Sequence, residues 1–320
     1  MKAAVLHALG RWPRYEEFAE PAAGKDELIV RVRAASLKPV DRQIASGAHY
    51  ASPRELPVIC GIDGVGELDD GKRVFFGGPR RPYGAMAERT VVPRQFCFSL
   101  PEGIDDETAA ALTNPGVSAF LTLMERAKMA AGETVLILGA TGVTGQLAVQ
   151  IAKLHWAKRV IAAGRDERRL RRLLELGADA TIQLNQPAGV LKDAFAREAG
   201  ADGFDVIIDY VWGAPTEALL AALTRPEFAA ATKETRLVQV GDSAVATISL
   251  PAAVLRSTPL TILGTAGIPS REILAEAMEQ VMRRGARGEL RIETERVALA
   301  DIEAAWTKKE EPGRRIVVIP

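Results

Sequence analysis

Cysteine is nearly absent from this chain. Only Cys60 and Cys97 occur among 320 residues, which excludes a disulfide framework and a four-cysteine structural zinc site, and fits a reducing compartment. Histidine is almost as scarce, and neither His7, His49 nor His155 stands at a metal-ligand spacing from a cysteine. An excess of one charge is also missing. The 41 basic residues are balanced by 41 acidic ones, so no field of one sign points to nucleic acid or an anionic membrane surface. The arginines from Arg165 to Arg172 are interleaved with Asp166 and Glu167 and read mostly as a solvated helix face. No apolar run reaches the roughly 18 residues of a membrane-spanning helix. The opening "MKAAVLHALG" is too short for a signal-peptide core and reads as a first strand. A soluble, cytoplasmic protein is expected.

What is present is ordinary in bulk and specific in order. Hydrophobic residues at 48% and charged residues at 26% are enough for a sizeable core. Short strand signals fill the first third: "ELIVRVRAASL", "GKRVFFGG" and "GAMAERTVVP" alternate with turns, and prolines at 53, 57, 79, 82 and 93 interrupt any long helix. This part reads as an irregular β-barrel. Further on, strands and helices alternate: "VLIL", "RVIAAG", "ATIQL", "FDVIIDYV", "TRLVQVG" and "LTILGTAG" are strands, and helices run from Gln146 and through "DERRLRRLLELG". Such alternation means a doubly wound parallel sheet, an α/β fold. The boundaries expected are 1–113 for the first domain, 114–267 for the parallel-sheet domain, and 268–320 for a return to the first.

The stretch "VLILGATGVTG" carries the chemistry. Val135–Leu138 is an apolar strand, and Gly139, Gly142 and Gly145 follow at every third position. A strand that ends in glycines and leads into a helix makes a phosphate cradle, because the helix N-terminus offers free N–H groups and partial positive charge. Gly142 lets the backbone approach a ligand, and Gly145 lets the helix pack on the strand. The run Ala140-Thr141-Gly142-Val143-Thr144-Gly145 departs from G-x-G-x-x-G only at its first glycine. The predicted pyrophosphate contacts are Gly139, Ala140, Thr141, Gly142, Val143 and Thr144.

The adenosine end of the ligand is read at the next strand. NAD-specific domains place an acid at its tip to hold the ribose hydroxyls. Here "RVIAAG" ends in Gly164, and Arg165 follows. The glycine leaves space for a 2′-phosphate, and Arg165 offers it a planar fork, with Arg168 or Arg169 one turn further on. NADPH is therefore expected over NADH. The alternative is that Asp166 serves as the ribose acid, although it also stands where a helix N-cap is wanted.

In order along the chain, "SLKPVDRQIASG", "GIDGVGEL", "GAMAERTVVP", "AAALTNPGVSAFLTL", "LGATGVTGQLAVQIAK", "LELGADATI", "FDVIIDYVWG" and "RRIVVIP" match segments of one family. The chain resembles the medium-chain dehydrogenase/reductase superfamily, in its zinc-free quinone oxidoreductase branch. The resemblance implies a GroES-like catalytic domain and a Rossmann domain, with the cofactor between them. The zinc alcohol dehydrogenases of this superfamily carry G-H-E where this chain has Gly61-Ile62-Asp63, so Ile62 takes the place of a histidine ligand.

The resemblance also directs attention to particular residues. Asp41 matches the acid of N-P-x-D and is expected to brace a loop, or to touch substrate. Lys38 replaces the asparagine of that motif; it either polarises a carbonyl or binds cofactor, or it points into solvent. Tyr50, or His49 beside it, lines the substrate pocket, donates a proton, or sits in a plain loop; Tyr83 is a weaker candidate of the same kind. Asp63 is expected to tie backbone turns. Asn114 faces the cofactor or initiates a helix. Val240 and Gly241, and Gly264, Thr265 and Ala266, are strand ends expected to close over the cofactor. Trp212 sits near the adenine or packs.

The function implied is zinc-independent transfer of hydride from NADPH to a quinone or an α,β-unsaturated carbonyl. Two other readings stay open: an enoyl-thioester reductase, and an NADPH-binding sensor or structural protein with little turnover. The strand "LTILGTAG" resembles the family's edge strand that pairs across a two-fold axis, so a homodimer is expected.

Overall fold

In a computed structural model, the structure describes residues 1–224, 234–265, 267, 269–309 and 311–320. The chain divides into two compact units, Met1–Asn114 with Arg271–Pro320, and Pro115–Ser270.

The elements of the first stretch are β1 (Lys2–Leu6), β2 (Arg14–Glu17), β3 (Glu27–Leu37), α1 (Pro39–Ser46), β4 (Val58–Ile59), β5 (Asp63–Glu67), β6 (Arg73–Gly77), β7 (Arg89–Pro93), β8 (Cys97–Ser99) and α2 (Asp106–Phe120). The alternation in β3 explains its form: Val30, Val32 and Ala34 are buried while Arg31 and Arg33 are exposed. The next stretch holds β9 (Thr134–Leu138), α3 (Val143–Leu154), β10 (Arg159–Gly164), α4 (Glu167–Glu175), β11 (Ala180–Gln183), α5 (Ala188–Ala199), β12 (Val206–Asp209), α6 (Ala214–Leu223), β13 (Thr235–Gln239), α7 (Ala252–Ser257) and β14 (Leu260–Gly264). The last holds α8 (Arg271–Ala286), β15 (Glu293–Ala298), α9 (Ile302–Thr307) and β16 (Arg314–Ile319).

In the first unit, β2-β1-β4 form one sheet, and β15-β16-β3-β5-β6-β8 another, with β7 also paired to β3. Thus the C-terminal strands pair back onto β3, Val317 opposite Ser36. The apolar faces meet in a core that includes Leu37, Phe76, Met86 and Trp306. This is the GroES-like unit.

In the second unit, six parallel strands run in the order β11-β10-β9-β12-β13-β14. Counted within the unit this is 3-2-1-4-5-6, the doubly wound Rossmann order, whose direction reverses between β9 and β12. Val135 to Leu138 are wholly buried, as a strand covered on both faces must be. Helix α3 begins at Val143, three residues before the start that apolar periodicity gives.

Candidate functional site

The first unit buries a small ionic cluster. Pro39 opens α1, and the Asp41 carboxylate reaches back to accept from the Lys38 backbone N–H at 2.8 Å and from the Ile62 N–H at 3.2 Å. These bonds tie the start of α1 to the bend leading into β5. Lys38 does not reach solvent: it is 2% exposed. Its ammonium donates to Ser36 O at 3.0 Å, Ser36 Oγ at 3.1 Å and Asp63 Oδ1 at 2.8 Å, and lies 3.5 Å from Asp41 Oδ2. An ammonium has three protons, and all three have acceptors inside the protein.

The second oxygen of Asp63, Oδ2, accepts from Asn114 Nδ2 at 2.9 Å. A carboxylate only accepts, so this bond fixes the face of the amide and turns Asn114 Oδ1 away from Asp63. Burial pushes the Asp63 carboxyl above the ordinary carboxylate range, the Lys38 ammonium draws it back, and Asp41 pushes it up again. The structure thus joins Lys38, Asp41, Asp63 and Asn114. Asp63 bridges two side chains where backbone turns were expected. Asn114 lies inside α2 and initiates no helix.

Beside this cluster is a cavity of about 200 Å³ lined by Asp41, Ile44, Cys60, Gly61, Ile62 and Arg81 among others. The Cys60 thiol is raised by burial, with Asp41 adding to it, so no thiolate forms there. Tyr50 is 98% exposed, its ring 4.1 Å from that of His49. It lines an adjoining cavity of about 600 Å³. The Tyr83 hydroxyl donates to Glu20 O at 3.1 Å.

The second unit assembles the remaining predicted residues along one sheet edge. Because every strand is parallel, Gly139, Gly164, Val240, Gly241, Gly264 and Thr265 all fall at carboxyl ends. Ala266 lies outside the described residues. Gly139 has φ +81°, and a Cβ there would stand 3.0 Å from Val211 and 3.1 Å from Tyr210. At Gly145 a Cβ would be 2.5 Å from Gly139 O and 2.6 Å from the Ala140 Cα, so α3 packs on the loop only through glycine. Gly142 differs. A Cβ there would meet only Gly139 O at 3.4 Å, an ordinary contact, so no protein atom demands its glycine. Gly142 is also the N-cap of α3, with no capping side chain, which leaves N–H groups of the first turn for a ligand anion. The cradle therefore fits a dinucleotide pyrophosphate.

Gly164 corrects one expectation. A Cβ there would lie 2.4 Å from Thr141 Cγ2, so the room above this glycine is filled by Thr141 and is not open to a phosphate. The arginines remain available: Arg165 and Arg168 are exposed, and neither forms an ion pair within 4.0 Å among the described residues. Asp166 is engaged as the N-cap of α4, accepting from the Arg169 N–H at 3.0 Å.

Several features escape sequence reasoning. Ser36 opens the "SLKPVDRQIASG" segment, but its part in holding Lys38 follows only from the curl of the chain between β3 and α1. The contact of Thr141 with Gly164 joins the turn after β9 to the end of β10, a separation in sequence that carries no signal. Arg54 and Arg81 line the 600 Å³ cavity together, and nothing local to either position announces this.

Comparison with known proteins gives the family. Family models described as alcohol dehydrogenase GroES-like domain and zinc-binding dehydrogenase match residues 24–102 and 143–283. The solved quinone oxidoreductase from Thermus thermophilus, also known in complex with NADPH, is 30% identical, with a TM-score of 0.81 over 100% of both chains. A quinone oxidoreductase of Rattus norvegicus is 32% identical over 197 residues, 59% of each chain. A chloroplastic NADPH-dependent alkenal/one oxidoreductase of Arabidopsis thaliana is 28% identical over 236 residues, 65% of this chain and 58% of that one. The matches with these two curated relatives span less than two thirds of their lengths. The chain belongs to the medium-chain dehydrogenase/reductase superfamily, in its quinone oxidoreductase-like branch. Residues 143–283 match a family described as zinc-binding, yet among the described residues no three His, Cys, Asp or Glu side chains group as a metal site.

Proposed function

We propose that this protein is a zinc-independent reductase that takes hydride from NADPH and delivers it to a quinone or an α,β-unsaturated carbonyl. The observation that carries the reading is the pairing of a ligand-shaped glycine cradle at Gly142 with two unpaired arginines, Arg165 and Arg168, just past β10. The alternative ribose acid, Asp166, is occupied as a helix cap. NADPH, when bound, supplies the hydride; the hard chemistry is the cofactor's.

The chain's own residues bind, orient and exclude water. The first turn of α3 receives the pyrophosphate, and Arg165 takes the 2′-phosphate through its planar fork, assisted by Arg168. The Lys38–Asp63–Asn114 chain is a rigid scaffold: Lys38 is a positioning residue, since its protons are already held, and Asn114 Oδ1 is the acceptor it leaves available. Ile62, where zinc relatives carry a histidine, gives the acceptor cavity an apolar wall. An apolar wall suits acceptors that are already electrophilic. The proton that completes reduction of an enone enters from water through the outer cavity, which Tyr50 lines.

The test is a panel of quinones, enones and enoyl thioesters mixed with protein and NADPH, followed at the nicotinamide absorbance. Acceptor-dependent loss of signal with quinones or enones is expected. Tight NADPH binding with no such loss would leave a binding protein, and thioester reduction alone would favour the enoyl-thioester reading.

A further inference from the structure

The cavity beside Asp41 and Ile62 and the wider one beyond Tyr50 share Ala51, Val58 and Arg81 in their walls. They are two chambers in contact, with volumes of about 200 Å³ and 600 Å³. The inner chamber is walled largely by apolar groups, Ile44, Cys60 and Ile62 among them. The outer one carries three charged residues, Arg54, Arg81 and Glu55. Neither arginine makes an ion pair within 4.0 Å with Glu55 or any other carboxylate among the described residues. Arg81 does have one partner: its Nη2 donates to the Ala51 carbonyl. That bond anchors the guanidinium and leaves most of its five N–H donors without a protein acceptor. Pro53, Pro57 and Pro82 fix φ around both arginines, so the two guanidiniums stand on a stiffened frame.

An anchored, unpaired guanidinium where an apolar chamber opens into a cationic one matches an amphipathic ligand. Its reactive, apolar end enters past Arg81, and its negative end stays behind. We propose that the acceptor reduced by this protein carries an anionic group, a carboxylate or an equivalent acid, held by Arg81 with Arg54 in support. Arg81 is thereby a specificity-determining residue. The proposal rests on the acceptor-reductase reading above for its turnover test, and stands apart from it for its binding test.

For turnover, 4-(3-oxobut-1-enyl)benzoate and its methyl ester present the same enone with and without a remote charge. The wild type should favour the acid in KM by about tenfold or more, the scale of a charge-assisted bidentate hydrogen bond. Arg81→Met should lower the acid-to-ester ratio of kcat/KM by about tenfold, Arg54→Gln by less, and Arg81→Lys should restore part of it, because a lysine keeps the charge without the fork. For binding, 2-naphthoate and 2-naphthamide are titrated by fluorescence onto the full chain. The acid should bind more tightly, weaken with added salt, and lose its advantage in Arg81→Met. Unchanged thermal unfolding would establish that the variant is folded, and Arg54→Gln gives a second reading if it is not. Equal use of acid and ester by the wild type, or an unaltered ratio in Arg81→Met, overturns the proposal. Reduction of neither these enones nor any quinone or enone of the panel above, with 2-naphthoate still bound in an Arg81-dependent way, sinks the reductase reading and leaves the anion site standing. No preference for 2-naphthoate over 2-naphthamide in that case overturns the anion site too.

Discussion

An ammonium buried against two carboxylates behaves as one unit with them. Lys38 lies 2.8 Å from Asp63 and 3.5 Å from Asp41, and removing it strands a buried charge, a change that typically costs about 3–5 kcal/mol. The loss must depend on pH, with a sign fixed by Asp63. Burial already raises that carboxyl, and Lys38 is the largest influence lowering it. In Lys38→Met the folded-state value therefore rises further. A raised folded value means stability that is full below the unfolded value and lost as pH climbs through the folded one. The deficit of Lys38→Met against wild type should be smallest near pH 4 and widen towards neutrality. The double variant Lys38→Met/Asp63→Asn removes the titrating group and should flatten that dependence. Urea unfolding across pH checks both, and a deficit flat in pH for the single variant would refute the ionic account. Arg165 makes a separate claim in the second unit. Arg165→Ala should weaken NADPH by about 1–3 kcal/mol, as for hydrogen bonds to charged groups, and leave NADH nearly unchanged. Calorimetric titration decides it, and equal loss for both cofactors would reject the 2′-phosphate role.

The turn between β9 and α3 separates protein demands from ligand demands. Gly145→Ala drives a methyl to within 2.5 Å of Gly139 O, a backbone clash that should cost at least about 1–3 kcal/mol of stability. Gly142→Ala meets only an ordinary contact at 3.4 Å, at φ −75°. It should change the unfolding temperature little, yet lower NADPH affinity about tenfold, because the obstructed neighbour is the pyrophosphate. Gly142→Ala binding NADPH as well as wild type would mean that the cradle is not used. The same turn marks how far the sequence can be read. Strands are legible where burial is total or alternating, as in "VLIL" and "ELIVRVRAASL". The start of α3 is less so, since Val143 and Thr144 are β-branched and carry no apolar stripe; the N-cap at Gly142, and not periodicity, sets it. Gly164 reads as room for phosphate until Thr141, from the turn after β9, is seen to fill it. Lys38 is open between solvent and site because a long side chain leaves no periodic trace, and only Asp63 on β5 decides its course.

A doubly wound sheet has two edges, and β14 (Leu260–Gly264) is one of them. It pairs with β13 on one side, Leu263 opposite Val238. Its other side presents backbone donors and acceptors on a strand carrying Leu260, Ile262 and Leu263, all half-buried. Natural proteins rarely leave such an edge bare, because it invites pairing with other chains, and here no proline or inward lysine interrupts the strand. The formal net charge of zero adds no long-range repulsion between copies. A closed, isologous pairing of β14 with itself would join two sheets across a two-fold axis and satisfy the edge once. A homodimer is therefore expected at micromolar concentration. Leu263→Lys places a charge on the edge without removing a glycine or a helix cap, and should shift the population to monomer with unfolding still cooperative. Sedimentation velocity of both proteins reads this directly. A monomeric wild type would contradict the pairing, and a dimer unaffected by Leu263→Lys would move the interface to another face.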